Sequence, residues 1–222
     1  QARRYHLEID GALDPQFPGS GFIVTAVDAS SLAVASGLMY ARFSTGHLDR
    51  RGAGFLLGAA YAYDMGGIYF GGVTKYLHFD GPDGQSYKFA QDFGLLLRRG
   101  NVSWAVTGQN LALSNVPLFP PSTTFAFALG SDADYHLAVD YKLDLQDTSR
   151  VKHKLSVGYE FLIEQAFAPR IGFARDFTQG LSWFATGFGF LTEKGGLQFA
   201  YQRRVQGGFD HIFEVGLTLY IE

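Results

Sequence analysis

The stretch that decides the fold is YHLAVDYKLDLQ, residues 135–146. Every second residue is apolar or aromatic: Tyr135, Leu137, Val139, Tyr141, Leu143 and Leu145. The alternate set, His136, Ala138, Asp140, Lys142, Asp144 and Gln146, is largely charged or polar. A β-strand shows opposite faces at a period of two residues, so this is a strand with one greasy and one charged side. In a soluble sandwich the greasy side would be the core. In a membrane barrel it would meet lipid, and the charged side would line the lumen.

The same alternation recurs along the chain. Leu155, Val157, Tyr159, Phe161 and Ile163 form one apolar set. Phe213, Val215, Leu217, Leu219 and Ile221 form another, and Tyr87, Phe89, Phe93, Leu95 and Leu97 a third. No stretch has helical period with caps at both ends, which predicts an all-β fold.

The breakers carry a rhythm. Short turn signals occur at DASS (28–31), DMGG (64–67), RRGN (98–101), SDAD (131–134), EQAF (164–167) and TEKG (192–195). Looser breaks alternate with them: ALDPQFPGS (12–20), STGHLDRRG (44–52), DGPDGQ (80–85), SNVPLFPP (114–121), QDTSRVKHK (146–154), TQG (178–180) and RRVQGG (203–208). Prolines 15, 18, 82, 117, 120 and 121 all fall in the looser set. The predicted strands lie near 4–11, 20–27, 32–43, 53–63, 68–79, 86–97, 102–112, 122–130, 135–145, 154–163, 167–177, 181–191, 196–202 and 209–221. That count is fourteen, with twelve as the fallback.

Three features separate membrane from soluble. Strands of soluble proteins run mostly about 5–6 residues, whereas membrane-spanning strands need about 9–11; most of the predicted strands have the longer span. Tight turns alternating with looser connections, and an even strand count, match outer-membrane barrels. Aromatics gather near both strand ends: Tyr61, Tyr63, Tyr69, Trp104, Tyr135 and Phe167 at the tight turns, and Tyr40, Phe43, Tyr76, Phe79, Tyr87, Trp183 and Tyr201 at the loops. They read as two interfacial girdles. The expectation is a single domain over 1–222, a transmembrane antiparallel up-and-down β-barrel, with the tight turns and both termini on the periplasmic side.

Composition narrows function. The chain has 222 residues, no cysteine and a formal net charge of −3. Disulfides, thiolate metal sites and cysteine nucleophiles are excluded, and no general attraction to nucleic acid is expected. No apolar run is long enough for a transmembrane helix. The first residue, Gln1, would suit an exported protein whose signal peptide has been removed, and would equally suit a trimmed chain.

Signals for chemistry are weak. His136 and Asp140 share a face with no serine placed to complete a triad, and lie about 13 Å apart along a strand. His78 and Asp80 lie on one face beside a loop, a weak metal signal for which a strand end is the plainer reading. DGPDG (80–84) lacks calcium-loop spacing and is first a turn. GFGFLTEKGG lacks the phosphate-loop order. Asn101-Val102-Ser103 matches a glycosylation acceptor but occupies a tight turn. No catalytic residue, metal or cofactor is expected, and the chain is read as non-enzymatic.

The lumen is the candidate site. Its predicted inward residues are Lys88, Asp92, His136, Asp140, Lys142, Asp144, Lys154, Glu160 and Glu164. Cross-strand pairing among them is the ordinary structural role. Many other inward positions are small: Gly54, Gly58, Ala60, Ala62, Gly158 and Gly172. Eight strands can be filled by side chains, but fourteen with small inward residues leave space. Strand 181–191 is apolar on both sides, so its facing stays open. The loop side carries His47, Arg50, Arg51, Arg150, Lys152, His153, Lys154, Arg203 and Arg204. Of these, Arg50, Arg51, Arg150, Lys152, Arg203 and Arg204 form a candidate rim for phosphates of outer-membrane lipid and lipopolysaccharide; solvated loop charges are the plainer reading.

Two resemblances follow. The ending EVGLTLYI resembles the C-terminal insertion signal of outer-membrane barrels, through Glu214, Gly216, Leu219 and Ile221, although the chain finishes on Ile221 and Glu222 where many such barrels finish on Phe. That implies recognition by the barrel-assembly machinery. Over about residues 52–221, LGAAYAYDMGGIYFGGVTKYLHF, then VSWAVTGQNL, then a proline-bearing loop before TTFAFALG, resemble the PorV/FadL-like family. The resemblance rests on Tyr61, Tyr63, Gly71, Gly72, Lys75, Tyr76, Asn110 and Leu111. It implies a fourteen-stranded barrel in the outer membrane of a Gram-negative cell. The implied jobs are transport of small or hydrophobic solutes or, alternatively, a structural barrel anchoring other envelope proteins of a secretion or gliding machine. Transporters of that type carry an N-terminal hatch; the roughly 20 residues before the second predicted strand give little room for one.

Overall fold

A computed structural model describes residues 5–14, 19–28, 34–45, 52–81, 84–111, 120–131, 134–145, 151–164, 166–206 and 210–221. Fourteen strands follow one another: β1 (Tyr5–Asp14), β2 (Gly19–Asp28), β3 (Val34–Thr45), β4 (Gly52–Asp64), β5 (Ile68–Gly81), β6 (Gly84–Arg99), β7 (Val102–Gln109), β8 (Ser122–Ser131), β9 (Tyr135–Asp144), β10 (Lys152–Phe161), β11 (Phe167–Asp176), β12 (Leu181–Thr192), β13 (Gly195–Arg204) and β14 (His211–Ile221). Each pairs antiparallel with its neighbours in sequence, and β1 pairs with β14 from Tyr5↔Ile221 to Leu13↔Phe213. The sheet is a closed barrel with no free edge strand, and the described residues contain no helix.

Closure explains how this sequence tolerates so much exposed apolar surface. Directly paired residues share a face, so facing propagates around the ring from any fixed point. Asp10, Lys75, Asp92, Arg170, Gln198 and Glu214 all line one internal cavity. The registers carry that face onward to His136, Asp140, Lys142 and Asp144 of β9. Their alternates, Tyr135, Leu137, Val139, Tyr141 and Leu143, therefore face outward. So do Val157, Tyr159, Ile171, Phe173, Phe213, Val215, Leu217 and Leu219, which are exposed on the barrel exterior. An outer wall of this kind, on a barrel whose backbone polar groups are paired around the ring, is built for lipid. The greasy side of β9 faces the membrane.

Strand 181–191, apolar on both sides, takes its facing from its partners. Gly189 pairs with Ala168, Ala185 with Gly172, and Gly187 with Arg170, all lumen positions. Phe184, Phe188 and Phe190 consequently point to lipid. Trp183, Leu181 and Leu191 point inward among the small residues.

The girdles are thinner than the sequence suggests. Tyr61 and Tyr63 pack edge to face at 6.0 Å on the outside, and Trp104 sits against Phe127 at 4.6 Å. At the loop end Phe55, Tyr76, His78 and Tyr87 form an outer aromatic cluster. But the register turns Tyr69, Phe43, Phe79 and Trp183 into the lumen. A strand-end aromatic is equally compatible with either face, and only parity against the partner strand decides.

The strands also differ in length. β5 and β6 reach 14 and 16 residues, whereas β7 has 8 rather than the run to 112 that the sequence suggested. Asn110 ends it, adopting the left-handed region at φ 56°, a conformation asparagine tolerates better than most residues.

Candidate functional site

The lumen has two unlike walls. On β2, β3 and β4 the inward side chains include Ile23, Met39, Ala41, Phe43 and Leu56, and Leu77 of β5 lies on the same face, buried beneath its neighbours. Leu56, Leu77 and Ala90 are buried together, with Met39, Ala41 and Phe43 packed on them. Phe43 lies on Phe79 with ring centres 6.1 Å apart. Phe43 also occupies the space beside Gly54, where a Cβ would come 2.7 Å from the ring. Glycine is what lets an aromatic fill this wall.

The facing wall, seven strands away around the ring, is charged. Near the turn end Glu160 of β10 accepts a hydrogen bond from the Arg170 Nε of β11, and His136 Nδ1 lies 3.5 Å from the same carboxylate. Arg170 Nη1 donates to Gln198 Oε1 at 2.6 Å. At the loop end Lys152 pairs with Asp144 at 3.7 Å. Between them lie Asp140, Lys142 and Lys154, with Lys142 Nζ 3.5 Å from Gln109 Oε1.

A third polar group joins the two walls. Lys75, at 8% exposure, reaches Asp92 Oδ2 at 2.6 Å and Asn110 Oδ1 at 2.7 Å. The Asn110 backbone N–H donates to Asp92 Oδ1 at 2.7 Å, and Asn110 Nδ2 donates to the Pro120 carbonyl at 3.3 Å. Two residues on which the family resemblance rests, Lys75 and Asn110, thus meet through a carboxylate and fix the start of the β7–β8 connection.

Between these groups lies a cavity of about 730 Å³, reached by Ile23, Met39 and Leu56 on one side and by Asp10, Lys75, Arg170 and Glu214 on the other. It is the size of sites that take small molecules. Its chemistry is binding: an apolar surface faced by fixed charges.

Of the residues singled out from sequence, Lys88, Asp92, His136, Asp140, Lys142, Asp144, Lys154 and Glu160 lie on the lumen face by register. Glu164 lies past the end of β10, exposed in the turn at φ 51°, because Ile163 already bridges to Phe167. Of the candidate rim, Arg50, Arg51 and Arg150 lie outside the described residues, as does His47. Lys152 is paired with Asp144, Arg204 with Asp210, and Arg203 stands on the outer face of β13. The other histidine signals resolve into local pairs on the outer face: His78 Nε2 with Asp80 at 3.1 Å and His153 Nδ1 with the Tyr141 hydroxyl at 2.6 Å. Among the described residues no cluster of three histidines or carboxylates could hold a metal. Lys75, Arg170 and Gln198 were not legible as lumen groups. Arg170 stands out only by its register opposite Glu160.

Neither a family model nor a curated protein matches this sequence. Solved structures do. A monoaromatic hydrocarbon channel, CymD, superposes with a TM-score of 0.78 at 11% identity, covering 100% of this chain and 90% of its own. A FadL homologue from Pseudomonas aeruginosa gives 0.75 at 9% identity, over 98% and 90% of the two chains. The fold is that of the FadL-like barrels. The toluene transporter TbuX of Ralstonia pickettii gives 0.74 at 10%, over 100% and 90%. The fourteen strands expected from the sequence and from the resemblance are the fourteen of this FadL-like barrel.

Proposed function

We propose that this chain is a non-enzymatic channel of the bacterial outer membrane that passes small apolar or amphipathic solutes. The observation that carries the reading is the two-faced cavity. An apolar wall of Ile23, Met39 and Leu56 gives a hydrophobic body a surface to leave water for, and the facing charges hold whatever polar end it has. The lipid-facing exterior supports the membrane setting, and FadL-like barrels described as hydrocarbon and toluene transporters support the solute class. In this orientation the tight turns are periplasmic, the looser connections are external, and β14 is the strand offered to the assembly machinery.

The test is uptake. Purified barrel in liposomes should speed entry of toluene and similar monoaromatics over empty liposomes, and Met39→Arg should remove most of that gain while the barrel stays folded. A folded barrel that adds nothing to uptake, shows no conductance in planar bilayers, and co-purifies with other envelope proteins would overturn the channel reading in favour of a structural barrel.

A further inference from the structure

The β9–β10 register sets Lys142 directly opposite Lys154, both on the lumen face. Residues opposite one another in antiparallel strands have Cβ atoms about 5 Å apart, and like charges there repel. Neighbouring carboxylates offset this in part. Asp144 is engaged by Lys152 at 3.7 Å. Asp176, opposite Lys154, accepts the backbone N–H groups of Thr178 and Gln179 at 2.8 and 2.9 Å, which turns its Oδ1 to the β11–β12 turn. Asp140 lies two residues along β9, opposite Ser156. Among the described residues Lys142 Nζ donates to the neutral Gln109 oxygen at 3.5 Å and to no carboxylate, and Lys154 lies over the Trp183 ring at 5.1 Å. On the far side of Lys142, Thr124 of β8 presents a hydroxyl on the same face.

We infer that Lys142, Lys154 and Thr124 form a station for an oxyanion, a phosphate, sulfate or carboxylate group, on the charged wall of the lumen. An oxyanion offers several acceptor oxygens in different directions. It can take charge-assisted hydrogen bonds from two ammonium groups and a hydroxyl at once, and its charge removes the repulsion between the lysines. The indole of Trp183 bounds the station and would sense its occupancy. This inference does not rest on solute passage: the station can fill in a barrel that transports nothing, and a transporter can lack it.

The chain has two tryptophans, and Trp104 faces outward. Trp104→Phe therefore leaves Trp183 as the sole indole. In detergent micelles free of lipid phosphate, at fixed ionic strength with chloride as background, emission should change saturably with phosphate, sulfate or benzoate. Lys142→Gln, which does not touch Trp183, should weaken that binding about tenfold or more. Lys142→Arg should restore it, and Lys88→Gln, a lumen cation elsewhere, should leave it unchanged. A linear or absent response in a barrel that keeps its folded mobility on gels would overturn the station, as would equal binding in Lys142→Gln. A response to phosphate and sulfate but not benzoate keeps the station and restricts it to compact tetrahedral oxyanions.

Discussion

Lys75 and Asp92 meet at 2.6 Å on the lumen face of β5 and β6, and Asn110 bonds to both. Removing Asp92 strands an almost fully covered ammonium and frees the Asn110 N–H. Breaking a buried pair from one side costs about 3–5 kcal/mol. Asp92→Ala should lower unfolding stability by that order, read by urea titration in liposomes. Asp92→Asn keeps an acceptor for the Asn110 N–H and should lose less. Equal losses for the two would show that charge rather than the hydrogen bond matters.

The outer face of β9 should reject charge. Leu137→Arg or Val139→Arg places a cation in hydrocarbon and should cost roughly 2–4 kcal/mol near the midplane. Asp140→Asn, one residue on but facing the lumen, should leave stability within about 0.5 kcal/mol. Reversal of that order in equilibrium unfolding would mean that the register had been assigned to the wrong side.

Glycine at position 54 is a packing requirement. A Cβ there would strike the His78 backbone carbonyl and the Phe43 ring. Backbone cannot yield cheaply, so Gly54→Ala should destabilise by about 1–3 kcal/mol. Gly158, whose Cβ would meet nothing within 4 Å, supplies the control: Gly158→Ala should be close to neutral or mildly stabilising in the same unfolding assay.

Glu160 holds two partners, Arg170 and His136. Glu160→Gln should release Arg170 towards the lumen water and raise anion selectivity, measured as a shift in reversal potential under a salt gradient. An unchanged reversal potential in a conducting barrel would show that this group lies off the ion path.

How much of this could be seen in the chain follows from one physical distinction. β9, β10 and β14 are legible because one face meets lipid and the other meets water, so alternation survives in the sequence. β5 is not: its outward set contains Gly72, Thr74 and His78, while its inward set contains Val73, Leu77 and Phe79. Both faces are mixed because the lumen itself is greasy there. Thr74 reaches across the outer face to Gln91 at 3.0 Å, a polar pair where alternation alone would expect apolar residues. Lys75 is then one cation in a run without clear parity, and only the cross-strand partner reveals that it is covered. Glu160 was assignable from its own strand, but Arg170, beside Pro169 on the next strand, acquires meaning only once β10 and β11 are in register. Strand count and facing are periodic properties, whereas the meeting of Lys75, Asp92 and Asn110 spans connections whose geometry no local pattern encodes.

The seam between β1 and β14 has a consequence in time. β1 and β14 stand at opposite ends of the strand order, yet Tyr5 and Ile221 are register partners. Until β14 arrives, thirteen strands present two raw edges, each a row of unpaired backbone groups that lipid cannot solvate. The wall therefore cannot close strand by strand, and the ring seals only in the late step that joins β1 to β14.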